Sequence, residues 1–283
     1  MTIIDFHTHI FPPFCVKERE RLFKGEQAFE SIYGSPGSKM VEAETLIYSM
    51  DEQGVDRSVV FGFPWEDPDN YKRHNDYIIE SVNRYPDRLT GLSCFSPFCQ
   101  KPATEAQRCL EAGLSGVGEL AVYGSGLSSR FLDSMKDLMS LCECMDVPLL
   151  LHTNEPVGHS YPGKAPMTLY QIYRFVKAYP KNRIVLAHWG GGIFFYCLMK
   201  KEVPEVMKNV WLDTAASPFL YSPEIYLRAA EIIGPEKILF GSDFPLIRPK
   251  RYLDEMESCG LEKAALEKIT GANAALFFGL ESG

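Results

Sequence analysis

The sequence predicts a single α/β domain, residues 1–283, folded as a (β/α)8 TIM barrel. Three observations support this prediction. Short apolar runs recur along the chain, and segments with helical periodicity lie between them. The length of 283 residues is slightly above the roughly 250 residues that one such barrel needs. The strand count leaves one alternative open, an open doubly wound α/β sheet.

The predicted strands are short runs in which consecutive residues are apolar, such as Ser-Val-Val-Phe and Pro-Leu-Leu-Leu. Parallel strands that are covered on both faces have this pattern. We place the strands at residues 3–9, 57–63, 89–95, 115–121, 147–153, 183–189, 210–214 and 238–243.

Segments with an amphipathic helical pattern separate these strands, and turn signals such as Gly54 and Gly113 end several of them. We place the helices at residues 42–53, 76–85, 103–112, 130–145, 169–179, 192–207, 223–233, 251–258 and 262–278. Two connections, 10–41 and 154–167, are too long to be simple turns. Long loops in a compact domain are usually functional.

Composition and charge exclude several classes of function. The chain is 46% hydrophobic and 23% charged, as in an ordinary globular protein. The net charge of −8 argues against a nucleic-acid partner. No apolar run approaches the ~20 residues that span a bilayer, so we expect no membrane partner. The start of the chain has no export signal and the cysteines are scattered, which favours a cytoplasmic protein with reduced thiols. The sequence leaves homo-oligomer formation open.

Metal-binding residue types fall at the C-terminal ends of the predicted strands, where the loops of a barrel form its open mouth. The candidate ligands are His7, His9, Glu119, His152, His188 and Asp243. His7 and His9 lie two residues apart on the first strand, so both side chains point to the same face. Imidazole and carboxylate groups suit divalent first-row metals. We therefore expect one or two divalent ions per chain, with zinc (Zn2+) as the expected metal.

The order of the motifs carries a family resemblance. Asp-Phe-His-Thr-His opens the chain, Gly-Glu lies on strand four, histidines end strands five and six, and Gly-Ser-Asp-Phe-Pro ends strand eight. Together with Asn-Ala-Ala-Leu-Phe at 273–277, this order resembles the amidohydrolase superfamily, specifically its amidohydrolase-related branch. The similarity covers nearly the whole chain.

The resemblance implies roles for the candidate ligands. One metal would be held by His7, His9 and Asp243, a second by His152 and His188, and Glu119 would bridge the two. Members of the superfamily often use a carboxylated lysine at the bridge, where this chain has Glu119. Other members of the branch hold one metal and decarboxylate unsaturated or aromatic acids, so the number of metals stays open.

The leading hypothesis from the sequence is hydrolysis of an amide, ester or lactone bond in a small-molecule substrate by metal-activated water. Asp243 would take the proton from that water, and His188 would help to stabilise the developing oxyanion. The alternative is metal-dependent, non-oxidative decarboxylation of a small unsaturated or aromatic carboxylic acid, with His188 as proton donor. Phosphodiester cleavage is disfavoured, because it would need a basic surface and the chain has a net charge of −8. A non-catalytic scaffold is also disfavoured, because the ligand set would then have no purpose.

Other residues have weaker signals. We expect His74 and His159 to lie in surface loops, with His159 the better placed to touch a substrate. Five aromatic residues follow or end strands and could form a pocket wall: Phe11, Trp65, Tyr123, Tyr161 and Trp189. Arg73 and Arg248 could bind a substrate carboxylate or lie on the surface.

Overall fold

A computed structural model describes residues 2–280, in which short parallel strands alternate with helices. The strands are β1 (Ile4–His9), β2 (Arg57–Phe61), β3 (Leu89–Gly91), β4 (Val117–Leu120), β5 (Leu149–Leu151), β6 (Ile184–Leu186), β7 (Val210–Asp213) and β8 (Ile238–Leu239). Each strand pairs with the next one along the chain within two ladders, β1 to β3 and β4 to β8.

Parallel bridges join the two ladders at both seams. Ser93, just after β3, pairs with Val117 of β4, and Thr8 of β1 pairs with Phe244, after β8. The eight strands therefore close into a ring. This confirms the predicted (β/α)8 barrel, and the open-sheet alternative is wrong.

Helices surround this ring. The α-helical segments within residues 2–280 are α1 (Pro13–Lys17), α2 (Arg19–Leu22), α3 (Gln27–Tyr33), α4 (Ala43–Gln53), α5 (Pro68–Arg84), α6 (Pro102–Glu111), α7 (Ser129–Ser134), α8 (Lys136–Cys144), α9 (Leu169–Ala178), α10 (Glu202–Val206), α11 (Ser217–Leu220), α12 (Glu224–Ile233), α13 (Pro249–Ser258), α14 (Lys263–Glu267) and α15 (Asn273–Phe278). Two 3-10 segments (His188–Leu198 and Pro235–Lys237) and a π segment (Lys268–Ala272) complete the set. Within the described range, none of these helices has the length and apolar character of a bilayer-spanning segment.

Alternate strand residues point into the barrel and form one buried cluster. It contains Phe6 of β1, Val59 and Phe61 of β2 and Val185 of β6, and Phe277 of α15 packs against it. The rings of Phe6 and Phe277 meet edge to face with centroids 5.5 Å apart. The intervening strand residues pack outward against the helices in two further clusters. Burial on both faces explains why the strands are apolar at consecutive positions.

The strands end earlier than the sequence predicts. β6 stops at Leu186 and β8 at Leu239, several residues before the predicted ends at 189 and 243. The backbone leaves the ladder there to enter the loops, and His188 and Asp243 have positive φ angles of 54° and 60°. Non-glycine residues adopt this conformation only where the surrounding structure holds them in it.

The helix predicted at 192–207 is largely wrong. Residues from Trp189 to Gly192 all have left-handed φ angles, which are incompatible with a continuous α-helix. Three consecutive glycines permit this path because they lack a Cβ. Only Glu202–Val206 of the predicted segment is α-helical.

Two segments near the mouth also differ from the prediction. The connection 10–41 contains the short helices α1 to α3, which the sequence pattern did not predict. Helix α5 begins at Pro68, eight residues before its predicted start, because Asp67 caps it and accepts hydrogen bonds from the N–H groups of Asp69 and Asn70.

Candidate metal centre

Five strands bring the six candidate ligands to the mouth of the barrel. His7 and His9 belong to β1, Glu119 belongs to β4, and the others follow directly or closely after β5, β6 and β8: His152, His188 and Asp243. The side chain of His7 is completely buried, and those of His9 and Asp243 are 14% and 15% exposed. Glu119 is the shared contact, because each of the four histidines has a ring nitrogen within 4 Å of one of its oxygens, and Asp243 lies close to His7 and His9.

His7 has two ring nitrogens in very different surroundings. Nδ1 lies 2.8 Å from Oδ2 of Asp213, a fully buried carboxylate at the end of β7. Nε2 is buried and has no hydrogen-bond partner among residues 2–280. Asp213 thus fixes a proton on Nδ1, and Nε2 is the ring nitrogen that faces the centre. A histidine that binds a metal commonly has such a carboxylate behind it.

The atoms around Nε2 of His7 have the spacing of ligands to one ion. Oε2 of Glu119 and Oδ1 of Asp243 lie 3.7 Å and 3.6 Å from it. Nε2 of His9 lies 3.4 Å from the same Asp243 oxygen and 3.8 Å from the Glu119 oxygen. Ligands placed about 2.0–2.2 Å from a tetrahedral ion are separated by roughly 3.4 Å. The donor set and its spacing therefore fit a divalent first-row metal.

His188 lies next to His7 and Glu119, and donor atoms of these three residues lie within 4.8 Å of one another. Its Nδ1 lies 3.0 Å from the carbonyl oxygen of Ala215, to which it donates a hydrogen bond. Its Nε2 lies 3.5 Å from Oε1 of Glu119. The carbonyl of Ala215 therefore orients the ring so that Nε2 is the atom directed at the centre.

His152 makes two contacts that separate it from the other histidines. Its Nδ1 lies 2.9 Å from Oε1 of Glu119, and its Nε2 donates to the carbonyl oxygen of Gly163 at 3.0 Å. Gly163 belongs to the loop 154–167, so this loop helps to hold the ring. Both nitrogens of His152 face acceptor oxygens, and the residue contacts the centre through Glu119.

Carboxylate charge dominates the electrostatics of the site. Burial opposes protonation of His7, but the charges of Asp213 and Glu119 raise its pKa to about 10. Burial also opposes protonation of His188, yet the hydrogen bond and charge of Glu119 raise its pKa to about 9. Desolvation would raise the pKa of Asp243, but its contacts with His9 and His7 lower that pKa to about 2. A centre that stabilises positive charge in this way suits a divalent cation.

A cavity of about 850 Å³ opens above the centre. Five of the candidate ligands form its floor: His9, Glu119, His152, His188 and Asp243. Aromatic and loop residues form its walls: Tyr33, Phe63, Tyr123, His159, Tyr161, Phe219 and Leu246. Lys39 is the only lysine or arginine among the described residues that line it. Its size matches pockets that bind small molecules.

The weaker sequence predictions have mixed outcomes. His159 lies on the cavity wall, but the surface position predicted for His74 is wrong: it lies in α5, is 1% exposed, and its Nε2 lies 2.7 Å from the carbonyl oxygen of Ile10. Of the five aromatic candidates, Tyr123 and Tyr161 line the cavity, whereas the other three are buried below its surface: Phe11, Trp65 and Trp189.

Neither candidate arginine lines the cavity. Arg73 packs over the ring of Phe14, with its guanidinium carbon 3.6 Å from the ring centroid, and Arg248 is exposed before α13. Both therefore have the surface position that the sequence left open as an alternative.

Two residues of the site were missed by the sequence analysis. Asp213 ends a predicted strand in Trp-Leu-Asp-Thr, and the rule that selected the histidines would have found it. Tyr33 ends α3, inside the long connection 10–41. No local pattern indicated that this tyrosine would reach the barrel mouth.

Curated relatives of the chain are named decarboxylases. A gamma-resorcylate decarboxylase from Polaromonas sp. (strain JS666 / ATCC BAA-500) is 25% identical over 254 residues, which cover 74% of this chain and 76% of the relative. A protein of the same name from Rhodococcus jostii (strain RHA1) is 23% identical over 257 residues, with the same shares covered.

Solved structures share the fold. A 5-carboxyvanillate decarboxylase from Sphingomonas paucimobilis has a TM-score of 0.76 at 18% identity, and the match covers 99% of both chains. A dihydroxybenzoic acid decarboxylase from Polaromonas sp. JS666, solved with manganese and the inhibitor 2-nitroresorcinol, has a TM-score of 0.73 at 19% identity. That match covers 100% of this chain and 98% of the other.

These comparisons correct the leading functional hypothesis. Hydrolysis of an amide, ester or lactone is wrong as the main prediction, because the relatives that match three quarters of the chain are named decarboxylases. The expectation of zinc also gains no support, since manganese is the metal named with the solved neighbour. The broader predictions of an enzyme, a divalent metal and a small-molecule substrate stand.

A match to a family model confirms the resemblance seen in the sequence. The family model described as amidohydrolase matches residues 4–280, almost the entire chain. The chain belongs to the amidohydrolase family.

Proposed function

We propose that this protein is a metal-dependent, non-oxidative decarboxylase of a small aromatic carboxylic acid. The observation that carries the proposal is the orientation of His188. Its Nδ1 is fixed on the carbonyl of Ala215, so Nε2 is directed at the centre on the cavity floor. Decarboxylation needs an acid at this position, because the carbon that loses carbon dioxide must receive a proton.

The proposed metal ligands are His7, His9 and Asp243, with Oε2 of Glu119 as the fourth. Among residues 2–280, the buried Nε2 of His7 has no hydrogen-bond partner. Nε2 of His7 and of His9 lie 3.4–3.8 Å from the nearest oxygens of Asp243 and Glu119, and both observations support this assignment. We propose one ion per chain, because the contacts of His152 and His188 within 4 Å are to Oε1 of Glu119, whereas those of His7 and His9 are to Oε2. Manganese is the first metal to test, since a solved neighbour contains it.

The proposed reaction breaks one carbon–carbon bond and forms one carbon–hydrogen bond. The divalent ion would supply positive charge that binds the substrate and stabilises the electrons released. Those electrons stay on the ring carbon as the carboxylate leaves as carbon dioxide. Nε2–H of His188 then donates its proton to that carbon, and solvent returns a proton to His188.

Both the cavity and the named relatives support an aromatic substrate. Tyr33, Phe63 and Tyr123 give the wall a largely aromatic surface, which suits a flat ring. The relatives are decarboxylases of hydroxylated benzoates, according to their names.

A direct assay tests this function. The protein is stripped with chelator, reloaded with manganese or zinc, and incubated with 2,6-dihydroxybenzoate or 5-carboxyvanillate while carbon dioxide is measured. A parallel panel of amides, esters and lactones is assayed for acid release. We expect metal-dependent carbon dioxide release from at least one aromatic acid. Acid release from the panel without carbon dioxide from any aromatic acid would overturn the proposal.

A further inference from the structure

Two tyrosines on the cavity wall have hydroxyl groups that the protein leaves unpaired. Tyr33 and Tyr123 both line the cavity above the candidate metal centre. Among residues 2–280, neither hydroxyl has a hydrogen-bond partner. By contrast, the hydroxyl of Tyr161, on the same wall, donates to Oε2 of Glu155 at 2.9 Å. A phenolic hydroxyl in a largely buried position normally finds a partner.

These two hydroxyls are open to the cavity and not sealed inside the protein. The fully buried side-chain atoms without a partner in residues 2–280 are Nε2 of His7 and Oγ of Ser58, and neither tyrosine is among them. Their missing partner must therefore come from the contents of the cavity. Water can serve in the free protein, and a bound substrate can replace it.

The rings of both tyrosines are held in place by aromatic contacts. Tyr33 packs against Phe11, Phe29 and Phe63, with centroid distances of 5.1 Å, 5.0 Å and 5.9 Å. Tyr123 stacks on Phe63 at 6.3 Å, with an angle of 10° between the ring planes. Tyr123 also contacts the ring of His152 at 5.3 Å. Fixed rings hold their hydroxyls in fixed positions, which is what selective binding requires.

Both groups act as donors at neutral pH. Burial and the nearby charges of Asp243 and Glu119 raise the pKa of Tyr33 well above its ordinary value. Burial and the charge of Glu119 do the same for the pKa of Tyr123. The hydroxyls therefore stay protonated and can donate to an oxygen atom of a ligand.

The cavity offers few other donors to such an oxygen. Lys39, on its exposed rim, is the one lysine or arginine among the described lining residues, and the hydroxyl of Tyr161 is already used. Recognition of oxygen substituents on a substrate ring therefore depends on neutral hydroxyl donors. Among the described residues that line the cavity, the hydroxyl groups without a protein partner are those of Tyr33, Tyr123 and Ser35. Ser35 is exposed, whereas the two tyrosine rings are held by the aromatic contacts described above.

We propose that Tyr33 and Tyr123 determine substrate specificity by donating hydrogen bonds to oxygen substituents on the ring of an aromatic acid. This inference rests on the proposed function, because it uses the same cavity. It assigns these tyrosines to binding and leaves proton transfer to His188. The selected ligands are aromatic rings that carry hydroxyl groups beside the reacting carboxylate, in preference to rings without them.

The test measures selectivity between two related probes. Manganese-loaded protein is titrated with 2-nitroresorcinol, which has two ring hydroxyls, and with 2-nitrophenol, which has one. Wild type is compared with Tyr33→Phe, Tyr123→Phe and the control Tyr179→Phe. The control also removes a hydroxyl from a partly buried tyrosine, but that hydroxyl bonds the carbonyl of Leu132, and Tyr179 does not line the cavity.

We expect wild type and the control to bind 2-nitroresorcinol more tightly than 2-nitrophenol. At least one of the other two variants should lose roughly two- to tenfold in affinity for 2-nitroresorcinol and show a ratio of affinities closer to one. If the ratio of the two affinities stays unchanged in both variants, this inference alone is overturned. That outcome includes an equal loss of affinity for both probes. Failure of wild type to bind 2-nitroresorcinol more tightly than 2-nitrophenol would also overturn this inference, whereas the proposed function is decided separately by the carbon dioxide assay.

Discussion

Nδ1 of His7 lies 2.8 Å from Oδ2 of Asp213, and this contact determines which nitrogen of His7 faces the barrel mouth. The other oxygen of Asp213 accepts hydrogen bonds from the backbone N–H groups of His188 and Ala215, so the carboxylate is itself held rigidly. One buried side chain thereby orients a proposed metal ligand and the backbone of the proposed proton donor.

Asp213→Asn should therefore weaken metal binding. The amide oxygen can keep the bonds to the two backbone N–H groups, but the amide NH2 group would then face Nδ1 of His7. The ring would have to accept at Nδ1 and carry its proton on Nε2, the atom proposed to bind the ion. We expect the affinity for manganese to fall by about 10–100-fold in calorimetric titration. Asp254→Asn, which removes an exposed partner of Lys250, is the matched control, and an equal affinity in both variants would contradict the argument.

Metal stoichiometry distinguishes one ion from a bridged pair. If Glu119 binds a single ion through Oε2, the wild-type protein should hold about one manganese per chain, and Glu119→Gln should bind it at least about tenfold more weakly. If Glu119 bridges two ions, the wild type should hold about two and the variant should lose one of them. Elemental analysis after dialysis measures both, with exposed Glu202→Gln as the control.

The positions of the proposed ligands could be predicted from the sequence for a simple geometric reason. In a closed parallel barrel all strands end at the same rim, so polar residues at strand ends meet even when far apart in sequence. His7 and Asp243 lie more than 230 residues apart, yet their side chains are 3.6 Å apart. The same rule applies to Asp213, the carboxylate at the end of β7.

Features that depend on tertiary contacts could not be predicted in the same way. Tyr33 reaches the cavity because three short helices fold across the mouth, where packing among Phe11, Phe29 and Phe63 holds its ring. Likewise, the segment after β6 follows a left-handed path through Trp189 and three glycines, although its apolar residues resemble a helix. Neither arrangement follows from a local periodic pattern.

His188→Asn should separate metal binding from proton transfer. The substitution removes the proposed proton donor without touching the four proposed ligands of the ion. We expect manganese content to stay at about one per chain and the rate of carbon dioxide release to fall by about 10²- to 10⁴-fold. Loss of the metal together with the rate would instead identify His188 as a ligand.

Buried His74 should make the stability of the protein depend on pH. Its Nδ1 accepts a hydrogen bond from Nε1 of Trp65 at 2.9 Å and its Nε2 donates to the carbonyl oxygen of Ile10, so the neutral ring satisfies both contacts. Burial, together with the charge of His9, lowers its pKa from 6.5 to about 4. The unfolded chain therefore binds a proton between these two pH values that the folded protein does not, and the stabilisation is complete above pH 6.5 and lost as the pH falls towards 4.

The size of this effect follows from the shift. Between pH 7.5 and 5.0 the free energy of unfolding of the wild type should fall by about 2 kcal/mol more than that of His74→Gln, whose side chain does not titrate. Urea unfolding of both proteins in the presence of chelator measures the difference, because other titrating groups contribute equally to both and metal release does not contribute. If the free energies of unfolding of the two proteins change in parallel with pH, His74 has the same pKa in the folded and unfolded chains. Protonation of Nδ1 would then not break the hydrogen bond from Trp65, and the prediction would be wrong.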